Sequence, residues 1–227
     1  MNVNVVRIAL ALVPMVTRAA APAKKPTGRY HHGRLRDSLV AASLEIVREE
    51  GSGALSLSAA ARRVGVSPQA SYNHFTSKEQ LLAAAAADVV TRLAHHMRAA
   101  KEKARNAGAA LESAGIAYVT FGCARPAELR LLSAPELADK TRHPALLAAY
   151  ELAFGVLLEA IADAQRAGVV RRGDVRALAL PAWALVHGIA SLVIDGQLAT
   201  SGSEGDPEPV ARDALRILFS GLRDRAR

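Results

Sequence analysis

The sequence predicts an all-α protein, and three observations carry that prediction. Aromatic residues make up only 4% of the 227 residues, while Ala and Leu are abundant, a composition that favours helix. No run of alternating apolar and polar residues stands out, as a half-buried strand would require, and no internal repeat does either. Apolar stripes at spacings of three and four recur instead between Gly, Pro, Ser and Asn punctuation. With 51% hydrophobic and 22% charged residues, the chain can build a sizeable core.

Residues 1–23 precede this pattern. Their apolar run from Val3 to Val16 is interrupted by Arg7 and Pro14, too short and broken to span a membrane. No Lys or Arg precedes Arg7, so the stretch reads as an extension, or as the product of a start codon set too far upstream, rather than an export signal. Residues 24–36 hold Lys24, Lys25, Arg29, Arg34 and Arg36 with no acidic residue, a basic arm suited to phosphates or a minor groove, or a solvated lead-in. Adjacent His31 and His32 do not have the i, i+4 spacing of a helical metal pair.

The first helix is predicted over 34–50, with Leu35, Leu39, Ala42 and Ile46 on one stripe and Gly51 and Gly53 ending it. Ser56 caps a second helix running to Val64. Gly65 supplies the turn, Ser67 caps a third helix, and Pro68 takes its first position, where a missing N–H costs nothing. Two short helices around a Gly turn make a helix-turn-helix, whose second helix can enter the DNA major groove. A fourth helix begins near Lys78 and carries Leu81, Leu82, Ala85, Val89, Leu93 and Met97. Phe75, Val64, Val66, Leu81 and Leu82 are assigned to the core of this head.

The stretch VGVSPQASYNHFTSKEQLL, with Tyr72, His74, Phe75, Lys78, Leu81 and Leu82 in register, resembles the DNA-binding signature of the tetracycline-repressor (TetR) family. The resemblance implies that Pro68, Gln69, Ala70, Tyr72, Asn73, His74 and Lys78 face double-stranded DNA. Their chemistry sorts them: Gln69 and Asn73 suit base edges, above all adenine, and Ala70 suits a thymine methyl. Tyr72, His74 and Lys78 suit phosphate oxygens. Ser56, Ser58 and Ser67, at the helix starts, are read as further contacts. Arg62 and Arg63 are left between backbone contact and solvent. Ser71 departs from the family pattern, which usually has an apolar residue before the Tyr, and implies slightly looser packing of the third helix.

Charge agrees with a DNA-binding end. The net charge is +8, and residues 1–100 carry 13 Lys and Arg against 6 Asp and Glu, leaving the rest nearly neutral. The single Cys123 excludes an internal disulfide and any Cys-cluster metal site, so neither metal nor cofactor is expected.

Body helices are predicted over 109–123, 126–132, 144–167, 174–200 and 207–225. Asp206 and Pro207 form an N-cap and N1 pair. Trp183, His187 and Gly188 resemble the Trp-x-x-x-His-Gly type of TetR-like body. Apolar stripes on the last two helices (Leu178, Leu185, Ile189, Leu192; Leu215, Leu218, Phe219, Leu222) predict a homodimer through a four-helix interface. Tyr118, Phe121, Tyr150, Phe154, Trp183 and His187 are the candidate lining of a pocket for an apolar effector.

The expected organisation is an extension over 1–28, a helix-turn-helix head over 29–80 and a ligand-binding, dimerising helical body over 81–227. The expected function is a ligand-responsive cytoplasmic repressor on a palindromic operator. An activator and a sequence-independent DNA-binding protein of the same fold are the alternatives. No G-x-S-x-G elbow, H-E-x-x-H pair or phosphate-cradling Gly loop supports an enzyme, and no membrane partner is expected.

Overall fold

The computed structural model describes residues 32–198 and 206–221. Nine α-helices, joined by turns and three short 3₁₀ segments, account for the regular structure of those residues, with no strand among them. They are α1 (His32–Glu50), α2 (Leu57–Val64), α3 (Pro68–Tyr72), α4 (Lys78–Glu102), α5 (Ala107–Cys123), α6 (Pro126–Leu131), α7 (Pro144–Arg166), α8 (Val175–Ile194) and α9 (Pro207–Gly221). The predicted extension and the basic arm up to its last residues lie outside the described residues, as do Leu222 and the predicted end of the last helix.

Local chemistry sets the helix starts. Ser56, Ser67, Ser77 and Asn106 each accept a hydrogen bond from the amide three residues on, satisfying one otherwise unpaired N–H of α2, α3, α4 and α5. At α4 the cap is doubled, because Gln80 reaches back to accept from the Thr76 amide at 3.0 Å. Asp206 accepts from the Glu208 amide at the start of α9. Gly65, at φ 80°, ends α2 in the left-handed conformation a side chain would resist. Gly196, at φ 69°, follows the end of α8. The helix therefore stops at Ile194, short of the predicted residue 200.

Packing then joins the elements. Leu39, Ile46 and Val47 of α1 are buried against α2 and α4, and Phe75, Leu81 and Leu82 complete the head's core. Core residues continue without a break from Leu35 of α1 to Leu215 of α9. The boundary expected after residue 80 falls in the first turn of α4, which packs on α1 in the head and on α5 and α7 in the body. α5 lies at the centre of the body, touching α4, α7, α8 and α9. Its Gly115 permits the approach of α9: a Cβ there would meet Leu215 Cδ1 at 2.8 Å. By length and composition α7 and α8 could each cross a bilayer. In the fold they pack against α4, α5 and α9.

The predicted interface stripes need correction. Leu178, Ile189 and Leu215 are buried within the subunit, because periodicity identifies an apolar face but not the neighbour that covers it. The large apolar side chains left exposed on these helices are Leu180 (58%), Trp183 (37%) and Leu192 (38%) on α8 and Ile217 (74%) on α9.

Candidate nucleic-acid interface and body cavity

The head offers a compact polar face. Pro68 and Gln69 of α3 are exposed, as are Asn73 just after it and Ser58 on α2, and Tyr72 is 51% exposed. His74 is half-buried. Ser56 and Ser67 use an oxygen lone pair for capping, which leaves the hydroxyl proton to donate outward. Two predicted contacts, and Arg63, which the sequence leaves open, have partners within the head. Ala70 is half-buried and packs on the head's core, so its methyl is only partly presented. Lys78 Nζ donates to the Gly53 carbonyl at 3.3 Å, which ties the start of α4 to the turn after α1. Arg63 is held by Glu49 at 2.6 Å, with Glu50 and Glu45 at 3.3 and 3.8 Å. Arg62 is exposed.

Ser71 is fully buried, and its Oγ donates to the Pro68 carbonyl at 2.6 Å. The hydroxyl that departs from the apolar pattern is thus satisfied within α3 itself. Phe75 is buried, and Arg36 stacks over its ring at 5.1 Å.

The body holds a cavity of about 760 Å³ between α4, α5, α7, α8 and α9. Tyr118, Tyr150, Phe154, Trp183 and His187 line it. Phe121 does not: it is buried with Arg125 over its ring at 4.4 Å and His96 beside it at 5.7 Å. Along the wall the Tyr118 hydroxyl lies 2.8 Å from His187 Nδ1, and the His187 ring stacks on Trp183 at 5.7 Å. Burial lowers the His187 pKa and raises that of the Tyr118 phenol. Both groups are therefore neutral near pH 7. The phenol and Nδ1 share one hydrogen bond, and its direction follows the tautomer of the neutral ring. Burial also pushes Tyr150 up to about 12.

Two ion-pair joints between head and body were not legible in the sequence. Glu128 of α6, only 2% exposed, is clasped by Arg48 of α1 at 3.1 Å and Arg92 of α4 at 3.0 Å. Glu79, in the first turn of α4, meets Arg142 and His143, each at 3.2 Å, from the segment entering α7. Residues preceding it in that segment, Ser133, Ala134, Pro135, Leu137, Ala138 and Lys140, line the cavity. No group of three or more His, Cys, Asp or Glu residues suited to a metal occurs among the described residues.

A capped helix-turn-helix with an exposed polar α3 face, set on a helical body, defines a DNA-binding transcription regulator. Residues 39–85 match the family described as bacterial regulatory proteins, tetR family, and residues 111–218 match the tetracyclin repressor-like C-terminal domain. A protein of unknown function from Rhodococcus sp. RHA1 is 31% identical with a TM-score of 0.73, covering 86% of this chain and 99% of its own. A tetR-family regulatory protein from Rhodococcus RHA1 is 22% identical with a TM-score of 0.61, covering 85% and 99%. The transcriptional regulator FadR of Bacillus subtilis, solved in complex with stearoyl-CoA, is 16% identical with a TM-score of 0.65, covering 82% and 99%. No curated protein matches the chain. The chain belongs to the TetR family of transcriptional regulators.

Proposed function

We propose that the protein is a ligand-responsive transcriptional repressor that binds a palindromic operator as a homodimer in the cytoplasm. The observation that carries this reading is the body cavity, whose lining segment runs directly into the Arg142–Glu79 contact beside Lys78. A ligand that favours one arrangement of that segment changes DNA affinity by its differential affinity for the two arrangements. In this reading residues 29–80 form the head and 81–227 the ligand-binding, dimerising body. Gln69 and Asn73 read base edges, with a minor contribution from the Ala70 methyl. Tyr72, His74, Lys78 and the hydroxyls of Ser56, Ser58 and Ser67 hold phosphates, with Pro68 fixing the start of α3.

The exposed Leu180, Trp183, Leu192 and Ile217 support a second copy across α8 and α9. Dimerisation sets two α3 helices about 34–36 Å apart, one turn of duplex. The stearoyl-CoA bound by the Bacillus subtilis relative supports an apolar effector here.

Gel shifts on the DNA upstream of the protein's own gene test the reading, with light scattering for mass. A dimer that binds this DNA, and binds it more weakly after Tyr72→Ala, supports the proposal. A monomer indifferent to Tyr72→Ala sinks it.

A further inference from the structure

The cavity carries a charge arrangement that the regulator reading alone does not use. Tyr150 and Phe154 lie one turn apart on α7 and both line the cavity. A cation rests on each ring. Lys140 Nζ is 4.8 Å from the Tyr150 centroid, and the Arg176 guanidinium carbon is 5.4 Å from that of Phe154. Both cations also line the cavity, and neither has a carboxylate partner among the described residues. Arg92, Lys101, Arg130 and Arg212 of the body have one, and Arg125, over the Phe121 ring outside the cavity, does not. Asp174, next to Arg176, is turned to the Arg176 backbone amide at 2.9 Å. Glu151 is the sole carboxylate among the lining residues, against the two cations Lys140 and Arg176, and it pairs with neither. The rest of the wall is largely carbon, with Leu93, Met97, Leu111 and Leu157 inside.

We propose that the cavity takes an elongated apolar molecule ending in one carboxylate, its chain against the aliphatic wall and its acid group at Lys140 and Arg176. The inference rests on the ligand-responsive reading above and names the effector class. Aromatic faces hold the two cations in place without neutralising them, so the anion meets charges that are already positioned. Lys140 begins the 3₁₀ turn Lys140–Arg142, so an acid drawn to it acts on the turn that holds Glu79.

Trp183 is the chain's only tryptophan and lines the cavity, so its fluorescence reports occupancy directly. The test titrates the full chain, without DNA, with tetradecanoate and with tetradecan-1-ol, both below their aggregation limits. The acid is expected to bind roughly ten- to a hundredfold tighter than the alcohol. Lys140→Gln with Arg176→Gln should bring the two probes to parity, whereas Lys140→Arg with Arg176→Lys should keep the acid preference. Equal binding of acid and alcohol by the natural chain overturns the proposal. So does an acid preference that survives the neutral pair, or fluorescence that responds to neither probe. Operator gel shifts without ligand run in parallel. Failure there counts against the regulator reading and leaves the fluorescence result intact.

Discussion

Removing the two arginines that clasp Glu128 should cost more stability than removing Glu128 itself. The Glu128 carboxylate is 2% exposed, whereas the Arg48 and Arg92 side chains are 52% and 36% exposed. Glu128→Ala leaves Arg48 to solvent and Arg92 to its other partner, Asp88, at 2.7 Å. The loss is then that of charge-assisted hydrogen bonds offset by rehydration, roughly 1–3 kcal/mol. Arg48→Ala with Arg92→Ala strands a carboxylate in the core, a penalty of about 3–5 kcal/mol. Either single arginine variant leaves one bond in place and should fall between the natural chain and the double variant. Urea unfolding at pH 7 measures the differences. The same samples assayed for operator binding show whether the joint also positions the head. A double variant no less stable than Glu128→Ala would refute the reasoning, because the carboxylate would then not depend on its partners.

Further outcomes follow from other sites. Gly115→Ala puts a methyl 2.8 Å from Leu215 Cδ1; helix propensity favours it, but the overpacking should dominate and destabilise by about 1–3 kcal/mol, measured by thermal unfolding. Ile217→Lys, at a side chain 74% exposed in the single chain, should leave the subunit folded and convert dimer to monomer in light scattering. Gln69→Ala should relax base preference at one operator position, costing about 1–3 kcal/mol on the preferred base only, in a mutated-operator panel. Burial holds the His187 pKa below the ordinary imidazole value, so the unfolded ring takes up a proton at higher pH than the folded one. Its contribution to stability is therefore intact above about pH 6.5 and falls as pH drops through the folded pKa. Denaturation at stepped pH should show a shallower acid decline for His187→Phe than for the natural chain.

What was legible in the sequence is what local chemistry decides. Ser56, Gly65, Ser67 with Pro68, and Asp206 with Pro207 act on amides within three residues, so the helix starts and the α2–α3 turn follow from the residues alone. The positions of Leu81 and Leu82 follow as directly from helical spacing. The end of α8 was missed because Gly196 is a stop only when it adopts positive φ, which a long apolar run gives no reason to expect. The faces of α8 and α9 were missed for a different reason. Leu178 and Leu215 are as apolar as Leu180 and Ile217, and only the positions of α5 and α7 decide which pair is covered. Phe121 shares a helix with Tyr118 but turns to Arg125. Glu128 reads as an ordinary surface glutamate beside Arg130, since Arg48 and Arg92 lie on distant parts of the chain.

The most direct test of a sequence-reading dimeric regulator is a competition binding measurement. Purified protein is titrated onto the duplex upstream of its own gene in the presence of excess random duplex at physiological salt, with footprinting of the bound site. A preference of about a thousandfold or more for one site, protected in two halves about one helical turn apart, is the predicted result. Equal affinity for the random duplex, with no discrete protected site, would contradict it.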